Sequence, residues 1–226
     1  MTLEEKIDLT IKRLNSIFNL NVDFEKKDVF VAWSGGKDST VVLWVWREFL
    51  IKEFGFDGKI KALSIDTGLK FQEVIDHRDQ LAKSLNVDLY VIRPEVDINL
   101  FPVAKDPVKC CNELKIKPLK RFIKEHKIKV LITGIRADEN PARNISWFEK
   151  RKDPAYIQLN PILHWSEMDV WSFHMLKKIP YCVLYDRGYR SLGCKPCTKR
   201  SYEEERDGRN REKEKKMEML RRLGYF

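Results

Sequence analysis

The stretch VFVAWSGGKDS, residues 29–39, decides the fold. Val29, Phe30, Val31 and Ala32 form a short β-branched and apolar run that reads as a buried strand. It empties into Ser34-Gly35-Gly36-Lys37-Asp38-Ser39, after which Val41, Val42, Leu43, Val45 and Trp46 set a helical apolar pattern. A strand, a glycine-rich turn and a helix leave free backbone N–H groups at a helix N-terminus, aimed at an anion. Gly35 and Gly36 let the backbone approach phosphate oxygens, Ser34 and Ser39 add hydroxyl donors, and Lys37 adds a fixed positive charge. The spacing is not that of a Walker loop, which needs four residues between its Gly and Gly-Lys.

Composition sets the frame around this turn. At 226 residues the chain has room for one α/β domain, alone or with an appended module, and 43% apolar residues with six Trp argue for a folded protein. A net charge of +9 suits a polyanionic ligand, nucleotide or RNA, without choosing between them. No run reaches 18 apolar residues, and MTLEEKIDLTIKRL reads as a charged amphipathic helix rather than a leader. A cytoplasmic location with no membrane partner is therefore expected. In that reducing setting five Cys point to metal or redox chemistry rather than to a disulfide framework.

Along the chain, residues 3–19 read as a helix, because Leu3, Ile7, Ile11, Leu14 and Phe18 recur at helical steps. Strands are expected at 59–66, 87–92 and 129–135, and helices at 71–85 and 115–126. This alternation predicts a doubly wound parallel sheet, whose ligands bind beyond the carboxyl ends of the strands. Three segments fall there: Ser34–Ser39, Asp66-Thr67-Gly68 and Gly134–Asp138. The expected organisation is an N-terminal helix (1–24), a nucleotide-binding domain (25–200) and a charged tail (201–226) read as a surface helix or a mobile segment.

Asp66 at a strand end would hydrogen-bond a ribose or help hold Mg²⁺, although capping of the following helix competes with that role. Arg136 would neutralise phosphate or sulfate, with Asp138 and Glu139 orienting it or a metal. Arg143 and the group Lys150, Arg151, Lys152 would add positive charge near the same mouth. Cys110-Cys111 with Cys194-X-X-Cys197 forms a candidate four-thiolate site for zinc or an iron–sulfur cluster, against a redox pair plus two buried thiols. Cys182 reads as a core residue, and Ser166 with Asp169 as a capping box opening a helix that buries Trp171. His164 reads as packed, and His77 and His174 offer no partner pattern.

With these residues in place, the chain resembles the phosphoadenosine-phosphosulfate reductase superfamily over roughly residues 25–200. The resemblance implies an adenine nucleotide alpha hydrolase-like fold, the SGGKDS loop being that of enzymes that cleave ATP between the α- and β-phosphates. CCNELKIKPL (110–119) and GYRSLGCKPCT (188–198) look like the adenylyl-sulfate reductases, in which four such cysteines hold a 4Fe–4S cluster. Lys37 in the loop, DTGLKFQEVIDHRDQLAK (66–83) and the terminal Gly224-Tyr225-Phe226 look instead like the small subunit of ATP sulfurylase. The Glu-Cys-Gly-Leu-His ending of the reductases is not found, and no Cys follows Cys197.

Two activities follow from this mixture. The first is sulfate adenylyltransferase: Ser34–Ser39 hold the β,γ-phosphates of ATP, Lys37 stabilises the departing pyrophosphate, Asp38 and Asp66 position Mg²⁺, and Arg136 and Arg143 hold sulfate. That reading implies a GTPase partner. The second is reduction of a sulfonucleotide with a thiol supplied by a thioredoxin-like partner. Thiolation of a tRNA base is a further alternative, although no RNA-binding module is recognisable.

Overall fold

A computed structural model describes residues 1–19, 25, 28–140, 142 and 145–225. Strands β1 (Val29–Ala32), β2 (Ile60–Ile65), β3 (Val87–Ile92) and β4 (Val130–Ile132) lie on the apolar runs expected to form them. A hairpin of β5 (Phe148–Lys152) and β6 (Ala155–Leu159) completes a six-stranded sheet of order β3-β2-β1-β4-β6-β5. All pairs are parallel except β5 with β6. The sheet is thus mixed rather than wholly parallel, with its antiparallel strand at the edge. The sequence FEKRK carries three cations and no apolar alternation, so charge hid this edge strand from a pattern-based reading.

Successive residues of β1 point to opposite faces, and each face meets its own layer of helices. Val29 and Val31 pack with residues of α1 (Leu3–Ser16), α2 (Lys37–Phe54), α3 (Gln72–Ser84) and α6 (Glu167–Lys177). Phe30 and Ala32 pack on the other side with Leu119, Phe122 and Ile123 of α5 (Lys117–Glu125). The chain runs outward from β1 to β3 on one side and resumes at β4 on the other. The crevice between the carboxyl ends of β1 and β4 is therefore the topological switch point, where such sheets take ligands.

Helix α1 is closed at its start by a Thr2–Glu5 capping box and buries Leu14 against the main core. The buried Thr10 hydroxyl receives the Trp165 indole N–H at 3.0 Å. His164 packs beside Arg13, 2.6 Å away, and burial together with that guanidinium lowers its pKa to about 4. Ser166 and Asp169 form the expected capping box of α6. Cys182 is 1% exposed, in keeping with a core role. No helix of the described residues is long and apolar enough to cross a membrane.

Two further short helices, α7 (Arg211–Lys215) and α8 (Met217–Leu223), form in the charged tail. They are not a solvated surface. Met217 and Leu220 are buried, and Leu220 packs with Cys111 and Ile116. The tail lies across the carboxyl ends of the strands, where it completes the site.

Candidate functional site

Gly36 caps α2, and Gly35 adopts φ +85, a left-handed conformation that a side chain would strain. The turn is braced from within: Ser34 and Ser39 hydroxyls lie 3.1 Å apart, and Gly36 N–H donates to the Ser34 hydroxyl at 3.3 Å. Lys37 N–H donates to the Tyr185 hydroxyl at 2.9 Å. His174 is buried with one ring nitrogen 3.0 Å from the Lys37 carbonyl, which ties α6 to the first residue of α2. Gly134, after β4, lies directly on this first turn: a Cβ there would come within 2.8 Å of the Asp38 carbonyl carbon and the Ser39 nitrogen. Backbone cannot give way as a flexible side chain would. Gly134→Ala should therefore destabilise the fold by about 1–3 kcal/mol, measurable by denaturant unfolding.

Behind the turn sits a buried ion cluster. Lys37 is 1% exposed, with its ammonium 3.2 Å from Asp38 and bonded to Glu205 of the tail. Arg136 is fully buried, and its donors meet three carboxylates. Nε donates to Asp38 at 2.6 Å, one terminal nitrogen to Asp138 at 2.6 Å, and the other to Glu205. Burial works against charge on Lys37 and Arg136, but the carboxylates outweigh it and raise both pKa values. Burial likewise opposes the Asp38 carboxylate, but Lys37 and Arg136 bring it down to about 2. Lys37 and Arg136 therefore do not face the cavity as a reading of loop and motif alone expects. Both are instead bonded to Glu205, which does not line the cavity either.

The cavity itself has a volume of about 210 Å³. Its lining includes Ser34, Gly36, Asp38 and Ser39 of the turn with Gly134 after β4, and the apolar Leu63, Ile65, Leu119 and Ile135. Thr67 and Cys194 also line it, as does Lys70, whose ammonium donates to the Ser34 carbonyl at 3.1 Å. Burial, reinforced by Arg78 and Lys115, lowers the Lys70 pKa to about 8. Gly35, Asp66, Gly68 and Asp138 are not among the residues lining the cavity. Asp66 accepts from Gly68 N–H at 3.1 Å and so closes its own turn, while α3 is capped at Phe71. Asp138 orients Arg136 and accepts from Glu167 N–H at the start of α6. Arg151 donates to Gln158 within the edge hairpin, and none of Lys150, Arg151 and Lys152 lines the cavity. Arg143 lies outside the described residues.

The four cysteines come together. Asp106 caps α4 (Pro107–Cys111), accepting from Val108 N–H at 2.9 Å, and so places Cys110 and Cys111 opposite Cys194 and Cys197. All four line a second, smaller cavity with Lys115, Arg209 and Lys213, and no carboxylate or His shares its wall. A donor set of thiolates backed by cations fits a soft metal centre, zinc or iron–sulfur, and not a hard oxygen-bound cation. Cys194, Lys115 and Arg209 border both cavities. Burial opposes the Cys194 thiolate, but Lys115, a Thr67 hydroxyl at 3.3 Å, Lys213 and Arg209 bring its pKa to about 7. Burial pushes Cys110 and Cys197 up.

The tail supplies the residues that a reading of the motifs missed. Arg206 pairs with Glu139 at 3.2 Å and Glu214 at 2.8 Å. Arg209 is 6% exposed, with one donor 3.3 Å from the Thr198 hydroxyl. Lys213, 1% exposed, lies 2.8 Å from the Tyr225 hydroxyl. Burial opposes a phenolate at Tyr225, but Lys115 and Lys213 bring its pKa to about 7. The available signal was Met217 and Leu220, an apolar pair at helical spacing inside a charged run.

The fold agrees with a direct comparison. Residues 28–200 match the phosphoadenosine phosphosulfate reductase domain, and the chain belongs to that family. An adenosine 5'-phosphosulfate reductase of Geobacillus thermodenitrificans is 30% identical over 185 residues, covering 70% of this chain and 77% of its own. An uncharacterised protein of Methanocaldococcus jannaschii is 31% identical over 214 residues, covering 86% of this chain, which spans only 43% of that relative's length. Among solved structures, Candida glabrata FMN adenylyltransferase with FMN and an ATP analogue superposes with a TM-score of 0.74 at 22% identity. That match covers 88% of this chain and 65% of the other. The family membership rests on the matched domain and on the adenosine 5'-phosphosulfate reductase relative, and the structural likeness shows the shared fold.

Proposed function

We propose that this chain transfers the adenylyl group of ATP to a sulfur oxyanion, sulfate being the acceptor. The observation that carries the reading is the SGGKDS turn at the N-terminus of α2, closing one end of a cavity whose other wall is an apolar slot. Adenine would occupy the slot and the β,γ-phosphates the helix N-terminus. An acceptor oxygen would attack the α-phosphorus while the bond to the bridging α,β-oxygen breaks, and pyrophosphate would leave with that oxygen. Lys37 and the helix dipole would stabilise the charge that develops there. Asp38 and Glu139 bring ligand oxygens within 4.8 Å of each other and are the pair that would hold Mg²⁺. Adenylation of sulfate is uphill, so a GTPase partner would drive it.

The test is ATP–pyrophosphate exchange with and without sulfate, in protein purified anaerobically. Sulfate-stimulated exchange supports the reading, and none refutes it. Nucleotide affinity should fall roughly three- to tenfold as the pH rises through about 8, where Lys70 loses its proton. Lys70→Arg keeps its charge, so calorimetric titrations at pH 7 and 9 should show a smaller fall in that variant.

A second reading has its own support. The thiol cavity adjoins the nucleotide cavity through Cys194, as reduction of adenylyl sulfate would require. An external thiolate would attack the sulfonyl sulfur and release AMP, and a second thiol would then release sulfite. Sulfite formed from adenylyl sulfate with added dithiol distinguishes it from adenylyl transfer. In either case the four cysteines would hold an iron–sulfur cluster.

A further inference from the structure

Arg136 and Lys37 form the strongest cationic pair beside the α2 N-terminus, and neither is open to a ligand. The two nitrogens nearest the tail, the Lys37 ammonium and one terminal nitrogen of Arg136, are bridged by the two oxygens of a single carboxylate, Glu205. Glu205 comes from a segment 168 residues further along the chain, and its side chain is only 10% exposed. It is held there by its neighbours: Arg206 anchors to Glu139 and Glu214, and Lys199 N–H donates to the Gly208 carbonyl at 2.7 Å. A carboxylate that bridges an ammonium and a guanidinium occupies the geometry that two oxygens of a phosphate or sulfate would take.

We propose that Glu205 is a specificity-determining residue: an internal anion that stands in for the pyrophosphate end of the ligand and keeps free oxyanions out. The inference rests on the adenylyl-transfer reading of this site. The charge balance explains the effect. Lys37 and Arg136 carry two positive charges and face Asp38, Asp138 and Glu205, so an incoming pyrophosphate meets a cluster already over-neutralised. Removing the Glu205 charge leaves each cation with the carboxylates of its own neighbourhood and frees one donor direction on each. A triphosphate anchored elsewhere by its nucleoside can displace Glu205. A bare anion, with no slot contacts to draw on, cannot.

Inorganic pyrophosphate titrated into the anaerobically purified full chain, without divalent metal, tests this by calorimetry. Glu205→Gln should bind it at least tenfold more tightly than the unaltered protein, and Lys37→Met in the same background should abolish the gain. Equal or weaker binding by Glu205→Gln overturns the proposal. A loss of binding seen only when Mg²⁺ is present also overturns it, because Glu205 would then be a metal ligand rather than a stand-in anion. If Glu205→Gln fails to fold, Glu205→Asp decides. One methylene shorter, it cannot bridge both cations, so it should tighten binding by a smaller factor, and unchanged affinity counts against the idea. The two failures are separable. If Lys37→Met weakens pyrophosphate binding but Glu205 variants gain nothing, the gate alone falls. If Lys37→Met changes nothing in any background, the phosphate-end reading falls with it.

Discussion

Replacing Lys37 with methionine is expected to lower ATP-dependent turnover by about 10²–10³-fold, the cost of removing one preorganised charge from a developing anion. The same change acts on stability. Lys37 is 1% exposed and bonded to Asp38 and Glu205, so its loss leaves two carboxylates facing each other with one cation fewer. Breaking a buried pair in this way costs about 3–5 kcal/mol, which lowers the melting temperature by roughly 10 °C in a chain of this size. The double variant Lys37→Met/Glu205→Gln removes the cation together with its partner's charge. It should recover most of the stability and none of the turnover, separating the two roles of the lysine. Thermal melts and pyrophosphate exchange on the three proteins read both effects.

The second large effect is expected at Cys194. This residue alone of the four thiols borders both cavities, lies 3.3 Å from the Thr67 hydroxyl and sits near Lys115. Cys194→Ala should abolish the visible absorption of anaerobically purified protein and lower activity by at least about 10–100-fold, the range typical for even a supporting contact of a metal centre. Because a centre bound to the native state stabilises it by mass action, the variant should also melt at least about 5 °C lower. Cys182→Ala, by contrast, should keep the chromophore, since that thiol packs with Val74 and Leu184 rather than with the other four.

Much of this architecture is legible in the sequence because it rests on local pattern. The runs at Val29 and Val130 are apolar and buried in a parallel sheet, and those at Ile60 and Val87 keep their apolar pattern around one charge each, Lys61 and Asp88. The SGGKDS turn and the cysteine spacing are equally local, and the fold brings their parts to one end of the sheet. What stays hidden depends on distant pairing. FEKRK forms an edge strand because β6 offers it a hydrogen-bonding partner, not because its side chains favour burial. Glu205, Arg206, Arg209 and Lys213 look like a solvated face because each is charged. Glu205 and Arg206 are drawn in by Lys37, Arg136 and Glu139 from across the chain, Arg209 meets the Thr198 hydroxyl, and Lys213 meets the Tyr225 hydroxyl. Charge in a sequence signals surface only when its partner is water.

The N-terminus of α2 is the proposed seat of a nucleotide's terminal phosphates. A crystal structure with a non-hydrolysable ATP analogue tests that most directly. The β- and γ-phosphates should lie against the Ser34–Lys37 backbone, with Glu205 withdrawn from Lys37 and the base in the slot between Leu63 and Leu119. Phosphates bound away from that turn, with Glu205 still bridging Lys37 and Arg136, would contradict it.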